Sequence, residues 1–485
     1  MLKRIASPTG NYWQGIGVAA LAGLMLQLTG CAGSTTFTAY PKKVEPLVSS
    51  ISSRQELDLS KLLLDERGGA DGILYNMEYG RYALIFNKLD QSKTGFEQAI
   101  QRIEKNDQKA TISASDAGAT AAAVAVNDNA IPYAGDGYER VMLHHYQALG
   151  YLKKKDLEGA GVEIRRANAE QESALAAFEK EVVEAQAEAR KKQINPNAFA
   201  AQYAQLDEVA GRVKNSFQNA YTFYLSGMVY ELSGQPNDAY IDYKKALEIY
   251  PQNRVLQRDV LRLAKSLSMT EDYQALKQRF KQVKEAPVLD TTQGEVVILF
   301  EEGIAPQKKE LKLALPVPSV GMITAAMPMY QERVLPVTPL RLSLKGQPLA
   351  LTEPICDIKA LAVKALKEKV PMIATRQLAR TITKAATQKL AQQKMGDLGG
   401  LAAMVYNIAS ENADLRSWLT LPSNAQVTRI TLPAGQHLLG LDRIGSNVAG
   451  TVPVDVLPGG KTVVHVVAIG PQLYTTATSL AYTKQ

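Results

Sequence analysis

The sequence predicts an α+β protein of more than one domain, an α-helical repeat domain followed by a β-rich domain that carries a helical insertion. Three observations predict it. The chain has 485 residues, about three times a typical ~150-residue domain. Residues 46–286 are dominated by helix-length segments in which one pattern of small and aromatic residues returns. From Pro287 the texture changes to β-branched runs bounded by glycine and proline. The composition, 46% hydrophobic and 21% charged without a long charge block, is that of a folded chain.

The formal net charge is +7, from 55 Lys+Arg against 48 Asp+Glu. A nucleic-acid binder concentrates its excess in a basic patch; this one is mild, so no nucleic-acid partner is expected. The two cysteines, Cys31 and Cys356, exclude a disulfide scaffold and a multi-cysteine zinc site. Four histidines argue against a histidine-rich metal site. No cofactor or metal is expected.

Residues 1–30 read as a signal peptide. Lys3 and Arg4 give the positive start, and Ile16 to Leu28 is a mostly apolar run of 13 residues. A helix needs ~20 residues to span a bilayer, so the run is too short to cross comfortably. It ends in Leu28-Thr29-Gly30-Cys31, which resembles the lipobox of bacterial lipoproteins. The resemblance implies that Cys31 is the lipidation site. Its sulfur would carry diacylglycerol, the signal would be cut before it, and the new amine would be acylated, with palmitate a typical chain. Each buried CH₂ contributes ~0.8 kcal/mol, so two or three chains anchor firmly. In that family alanine after the cysteine, here Ala32, points to the outer membrane, with the protein facing the periplasm. An ordinary secretory signal or an uncleaved anchor are the alternatives. Residues 31–45 are expected to be a polar, lipidated tether.

The repeat signal is strongest in Ala220 to Asn253, AYTFYLSGMVYELSGQPNDAYIDYKKALEIYPQN. It resembles a tetratricopeptide repeat, whose signature places hold Phe223, Gly227, Tyr230, Ala239, Tyr243, Ala246 and Pro251 here. Ser226 stands where that family usually has leucine. Gly227 and Ala239 are small where two helices must approach closely, and Tyr230 and Tyr243 fill the space beside them. Ser233-Gly234-Gln235-Pro236 breaks the chain between the helices. Two weaker copies keep the internal offsets, one with Ala148, Tyr151, Ala160, Ile164 and Ala167, the other with Gly80, Ala83, Ser92, Phe96 and Ala99. Residues 254 to 287 continue as helix. Thr111 to Gly137 reads as a loop, and Glu170 to Gln193 as an extended amphipathic helix.

The resemblance also implies a protein-binding groove on the first helices of the repeats. Mapped onto this chain it offers Tyr221, Tyr224, Met228 and Glu231, with Met142, His145, Leu149 and Leu152 from the middle repeat and Leu74, Met77, Arg81 and Leu84 from the first. Aromatics and methionines suit an adaptable protein site. The alternative is that they pack against the long helix or the C-terminal domain. Adjacent His144 and His145 point ~100° apart on a helix and do not share a metal easily.

Residues 287–485 are read as a β-sandwich-like or α+β domain. Gly294 to Phe300 is a buried strand; further strands are expected at Leu311–Leu315, Met322–Ala326, Leu340–Leu344, Val427–Leu432, His437–Leu441, Thr451–Val456 and Thr462–Ala468. A helical insertion covers about 354–413. Glu301-Glu302 reads as solvated turn, Trp418 as packing at a helix–sheet junction, and Cys356, His437 and His465 as packing residues. The expected function is that of a membrane-anchored periplasmic scaffold or assembly factor binding unidentified envelope proteins, not an enzyme. An envelope hydrolase or a lipid/glycan-binding carrier using the C-terminal domain is the alternative.

Overall fold

Helices fill the N-terminal half and β-sheets the C-terminal region in a computed structural model of the chain. It describes residues 39–112, 128–191, 195, 197, 199–284, 290, 292–317, 321–332, 334, 336–410 and 412–482. Leu28 to Cys31 and the central part of the Thr111–Gly137 segment lie outside the described residues.

Helix α1 (Tyr40–Ser53) starts with Pro41 in its first turn, so the expected polar tether is already helical from Tyr40 onward. Its Tyr40 ring sits 5.5 Å from Tyr75, and its Ile51 carbonyl accepts from the Tyr474 hydroxyl at 2.7 Å. The aromatic pair, the hydroxyl-to-carbonyl bond and the buried Val44, Leu47 and Ile51 hold it on the body.

Four helical pairs follow: α2 (Gly72–Ile85) with α3 (Leu89–Ile112), α4 (Gly137–Lys153) with α5 (Leu157–Lys191), α6 (Ala220–Leu232) with α7 (Pro236–Ile249), and α8 (Arg254–Ser266) with α9 (Thr270–Arg279). Each pair also touches the next, through α3 and α4, α5 and α6, and α7 and α8. The first helix of every pair ends in the same way, on a residue in the left-handed region: Asn87, Lys155, Gly234 and Ser268. In each case the following amide reaches back to a carbonyl of the helix, as Lys88 to Ala83, Asp156 to Tyr151, Gln235 to Tyr230 and Met269 to Ala264. Asn219 and Asn253 cap α6 and α8, and Asp136 with Glu139 forms a capping box on α4. Within pairs, glycine meets an aromatic ring. A Cβ on Gly80 would lie 2.5 Å from the Phe96 ring, and one on Gly227 2.6 Å from that of Tyr243.

The C-terminal region holds a five-stranded sheet in the order β11-β10-β1-β7-β6, a four-stranded sheet β5-β4-β8-β9, and the hairpin β2-β3. The strands are β1 (Gln293–Glu302), β2 (Lys309–Val317), β3 (Gly321–Met329), β4 (Leu340–Leu344), β5 (Gln347–Leu351), β6 (Glu353–Cys356), β7 (Asn424–Pro433), β8 (Gly435–Arg443), β9 (Ala449–Val456), β10 (Lys461–Ile469) and β11 (Gln472–Leu480). Strands β1 and β10 run parallel, and the other pairings are antiparallel. Along β1, Val296, Ile298 and Phe300 join a cluster with Leu342, Leu439 and Val454 of the four-stranded sheet. Val297 and Leu299 join the larger cluster shared with the helices. Both faces are covered, which is why this strand reads as one apolar run rather than an alternation. The larger core runs unbroken from Tyr40 to Leu480.

Between β6 and β7 lies the expected insertion, helix α10 (Ile358–Ser410). The Lys359 amide donates to the Ser423 carbonyl at 3.0 Å, so the run returns to its start. A straight helix from 359 to 410 would reach ~77 Å, and the chain from 410 to 423 spans at most ~45 Å. The helical run therefore cannot be one straight rod.

Candidate functional site

Arg81, His145 and Tyr221 come from the first helices of three different pairs, and they meet at one strand carboxylate, Glu301. Arg81 Nη2 donates to Glu301 Oε2, and the Tyr221 hydroxyl donates to Oε1 at 3.0 Å. The Arg81 guanidinium also lies 4.1 Å from the centre of the Tyr146 ring. The His145 ring packs 4.3 Å from that of Tyr221, tilted by 40°, with its Nδ1 3.3 Å from Thr222 Oγ1. His465 of β10 brings Nε2 within 3.3 Å of Glu301 Oε1. Burial works against a charged Glu301, but Arg81 and the His465 ring beside it hold its carboxyl well below the usual range. Burial pushes His145 down to about 3 and His465 down to about 4, so both rings are neutral at pH 7.

Glu231 sits in a second buried cluster. It accepts from Lys461 at 2.9 Å, Arg429 at 3.2 Å and the Tyr243 hydroxyl at 2.7 Å, and Arg262 lies 2.7 Å away as an ion-pair partner. Asp259 and Glu295 complete three acids against three bases, at 3.1 and 3.3 Å from Arg429. Burial raises the Glu231 carboxyl and the Lys461 ammonium more than reverses that, leaving it well below its ordinary value. Tyr224, 5.3 Å from Tyr243, and Met228 are fully buried in the shared core.

The remaining part of the face is filled by a strap running from Asn412 to Leu421. Glu139 accepts from the Trp418 amide at 2.8 Å. Glu78 takes the amides of Leu419 and Thr420 and the hydroxyls of Tyr40 and Thr420 at 2.5 to 3.1 Å. Burial raises its carboxyl to about 7, even though those four donors favour the charged form. Trp418 is wedged 6.1 Å from Phe96 and 5.8 Å from Tyr146. Arg416 is tied to Asp71 at 2.5 Å and to the Asp128 and Ile131 carbonyls.

The six residues expected to form a protein-binding groove, Tyr221, Tyr224, Met228, Glu231, His145 and Arg81, thus share one face, and every one is buried under the sheet. Physically the sheet supplies what an open groove would have needed from a partner: a carboxylate for Arg81 and Tyr221, and cations for Glu231. Glu301 and Glu302 are not the solvated turn that the sequence suggests. They end β1 inside the protein, Glu302 bonding Arg443 and Asn424. Their period-two spacing from Val297 and Leu299 places Glu301 on the helix-facing side, a signal the sequence did contain.

Cys356 is buried on β6, where desolvation pushes its thiol well up. His437 lies on β8 of the other sheet, its Nε2 2.7 Å from the Pro433 carbonyl. Among the described residues no hydrogen bond joins Cys356 to either histidine, and no group of three or more His, Cys, Asp or Glu side chains could hold a metal ion. No described helix is long and apolar enough to cross a membrane.

An open cleft of about 400 Å³ lies beside the strap, between residues 131–136, α10 and the β2-β3 hairpin. Its apolar wall includes Tyr133, Leu366, Met372 and Ile373. Lys369 is bonded to Asp136 at 2.6 Å, and Lys308 donates to the Arg416 carbonyl at 2.9 Å. Burial would raise Asp136, but Lys369 and Lys308 bring it down to about 2. Arg376 differs from these: its Nε is buried and has no hydrogen-bond partner. The cleft is not legible in the sequence, because its walls come from segments about 240 residues apart.

Comparison with known protein families, curated proteins and solved structures returns no match.

Proposed function

We propose that this chain is a lipid-anchored scaffold or assembly factor of a bacterial envelope, tethered through Cys31 to the outer membrane and facing the periplasm. In this reading the helical pairs are tetratricopeptide-like repeats and the two sheets form a sandwich-like unit docked in their concave face. The common left-handed turns at Asn87, Lys155, Gly234 and Ser268 support the repeat reading, since their spacing follows the offsets of the sequence repeats. The shared cluster of Val296, Ile298, Phe300, Leu342 and Leu439 supports the sandwich reading.

Because its own sheet and strap occupy the groove, a partner binds beside it, in the cleft next to the strap. The observation that carries this is Arg376, whose Nε has no partner in a cleft walled by Tyr133, Leu366, Met372 and Ile373. That pairing suits a peptide with an apolar side chain beside an acidic group. A photocrosslinking residue at Met372 of the full chain in cells tests it. The expected result is one stoichiometric protein adduct that Arg376→Ala and Ile373→Asp both abolish. Adducts unchanged by those substitutions would overturn the reading.

A further inference from the structure

A second cleft, of about 750 Å³, lies at the outer corner where residues 64–70 turn into α2 and run past α3. Its charged lining is entirely basic: Arg67, Arg102 and Lys105, with no Asp or Glu. Among the described residues none of the three has a carboxylate partner, whereas Arg81, Arg140, Arg416 and Arg429 all do. Arg67 spreads over the Tyr79 ring at 3.9 Å and leaves a buried Nε without a hydrogen-bond partner. Arg102 makes only long contacts of 3.4 Å, to the Gly68 and Gly69 carbonyls.

The backbone adds to the imbalance. A Cβ on Gly72 would lie 2.8 Å from Arg102 Cζ, so the guanidinium rests on the first residue of α2. That is the positive end of the helix dipole, where a cation is unfavourable and an anion is stabilised. The residue placed to compensate is Asp71 at the N-cap, but its side chain makes no capping bond. It is used instead by Arg416 at 2.5 Å and the Tyr133 amide at 3.3 Å. Three cations and an uncapped helix start therefore converge on a cleft whose lining holds no carboxylate, the nearby Asp71 being taken up by Arg416.

We propose that this cleft binds the phosphate of an anionic phospholipid headgroup. The choice of source rests on the anchored reading above. Cys31 lies eight residues before Ala39, a contour of at most ~29 Å. The chain enters the body at Tyr40 against Tyr75, at the same N-terminal end of α2 as the cleft. A bilayer held by Cys31 is thus within reach of Arg102 and Lys105, and its headgroup phosphates supply the missing charge.

The test uses purified full-length chain in neutral detergent. Titration with soluble dihexanoylphosphatidylglycerol is set against dihexanoylphosphatidylcholine and sodium phosphate. We expect saturable, salt-weakened binding of the phosphatidylglycerol alone, reduced about tenfold or more by Arg102→Gln with Lys105→Gln. The exposed single change Lys105→Glu should weaken it too, with unaltered melting. Equal binding of the phosphatidylcholine, or a site filled by phosphate as well as by lipid, would overturn the headgroup assignment. Undiminished binding by both folded variants would overturn its location. Palmitate labelling of Cys31 is scored separately, so loss of the anchor and loss of the cleft are told apart.

Discussion

Arg81 and Glu301 form a buried ion pair across 220 residues of sequence, joining the first helical pair to the five-stranded sheet. Removing one partner strands the other charge in the core. Glu301→Gln is expected to lower stability by about 3–5 kcal/mol, while Arg81→Met with Glu301→Leu together should lose far less. Urea unfolding read at the Trp418 fluorescence, which sits at this junction, checks both. A double variant as unstable as the single one would mean that the pair is not the source of the loss.

Gly227 and Gly150 make an internal control. Alanine at 227 would drive a methyl to 2.6 Å from the Tyr243 ring, whereas nothing lies within 4 Å of a Cβ at Gly150. Gly227→Ala should destabilise by about 1–3 kcal/mol. Gly150→Ala, inside α4, should stabilise by roughly 0.5–1 kcal/mol through helix propensity. Melting temperatures that move in the same direction would show that the close approach is not where the repeat pattern puts it.

These positions also mark how far the sequence can be read. The Gly227–Tyr243 contact and the strand Leu340–Leu344 were legible because local rules fix them, namely a small residue opposite a ring and an apolar run between turns. The polar strand β11, with Thr475, Thr476 and Thr478, lacks a clear alternation and was not legible. Nor was the cover on the groove, since Glu78 meets Thr420 only 342 residues further on. One clue to it was present all the same. Helix α6 shows no charge before Glu231. A helix without a charged face is covered on all sides, so α6 argued against an open groove.

The pH dependence follows from His145, His465 and Glu78. Both histidines titrate lower in the fold, at about 3 and about 4, than the ordinary ~6.5. Their contribution is therefore complete above ~6.5 and is lost as pH falls, by up to about 2 kcal/mol each between pH 6.5 and 5. Glu78, raised by burial to about 7, has the opposite sign: its contribution is present below ~4.5 and is lost as pH rises through 7. Urea midpoints at pH 7.5 and 5 should fall less, or even rise, in a His145→Gln, His465→Gln variant. Identical slopes for variant and wild type would remove the histidines from the account.

Lipid attachment is tested at Cys31. Cys31→Ser should abolish incorporation of labelled palmitate and move the protein out of the membrane fraction, because two or three acyl chains supply nearly all of the expected attachment. A serine variant that still takes up label and stays with the membrane would end the lipoprotein reading.

Tyr221 and Tyr224 separate a covered groove from an open one. Both hydroxyls are buried, but only that of Tyr221 is bonded, to Glu301 at 3.0 Å, while that of Tyr224 has no hydrogen-bond partner. Removing a hydroxyl that donates to a buried carboxylate leaves the charge less well satisfied, so Tyr221→Phe should cost about 1.5–3 kcal/mol. Tyr224→Phe removes a polar atom that makes no hydrogen bond and should stay within about 0.5 kcal/mol of wild type, on either side. Neither ring is truncated, so packing is held constant and the difference isolates the bond to the sheet. If the groove were open to water, both hydroxyls would be solvated and both changes would be nearly silent. Urea unfolding of the two variants side by side distinguishes the cases, and matching midpoints would mean that the sheet does not close over this face in solution.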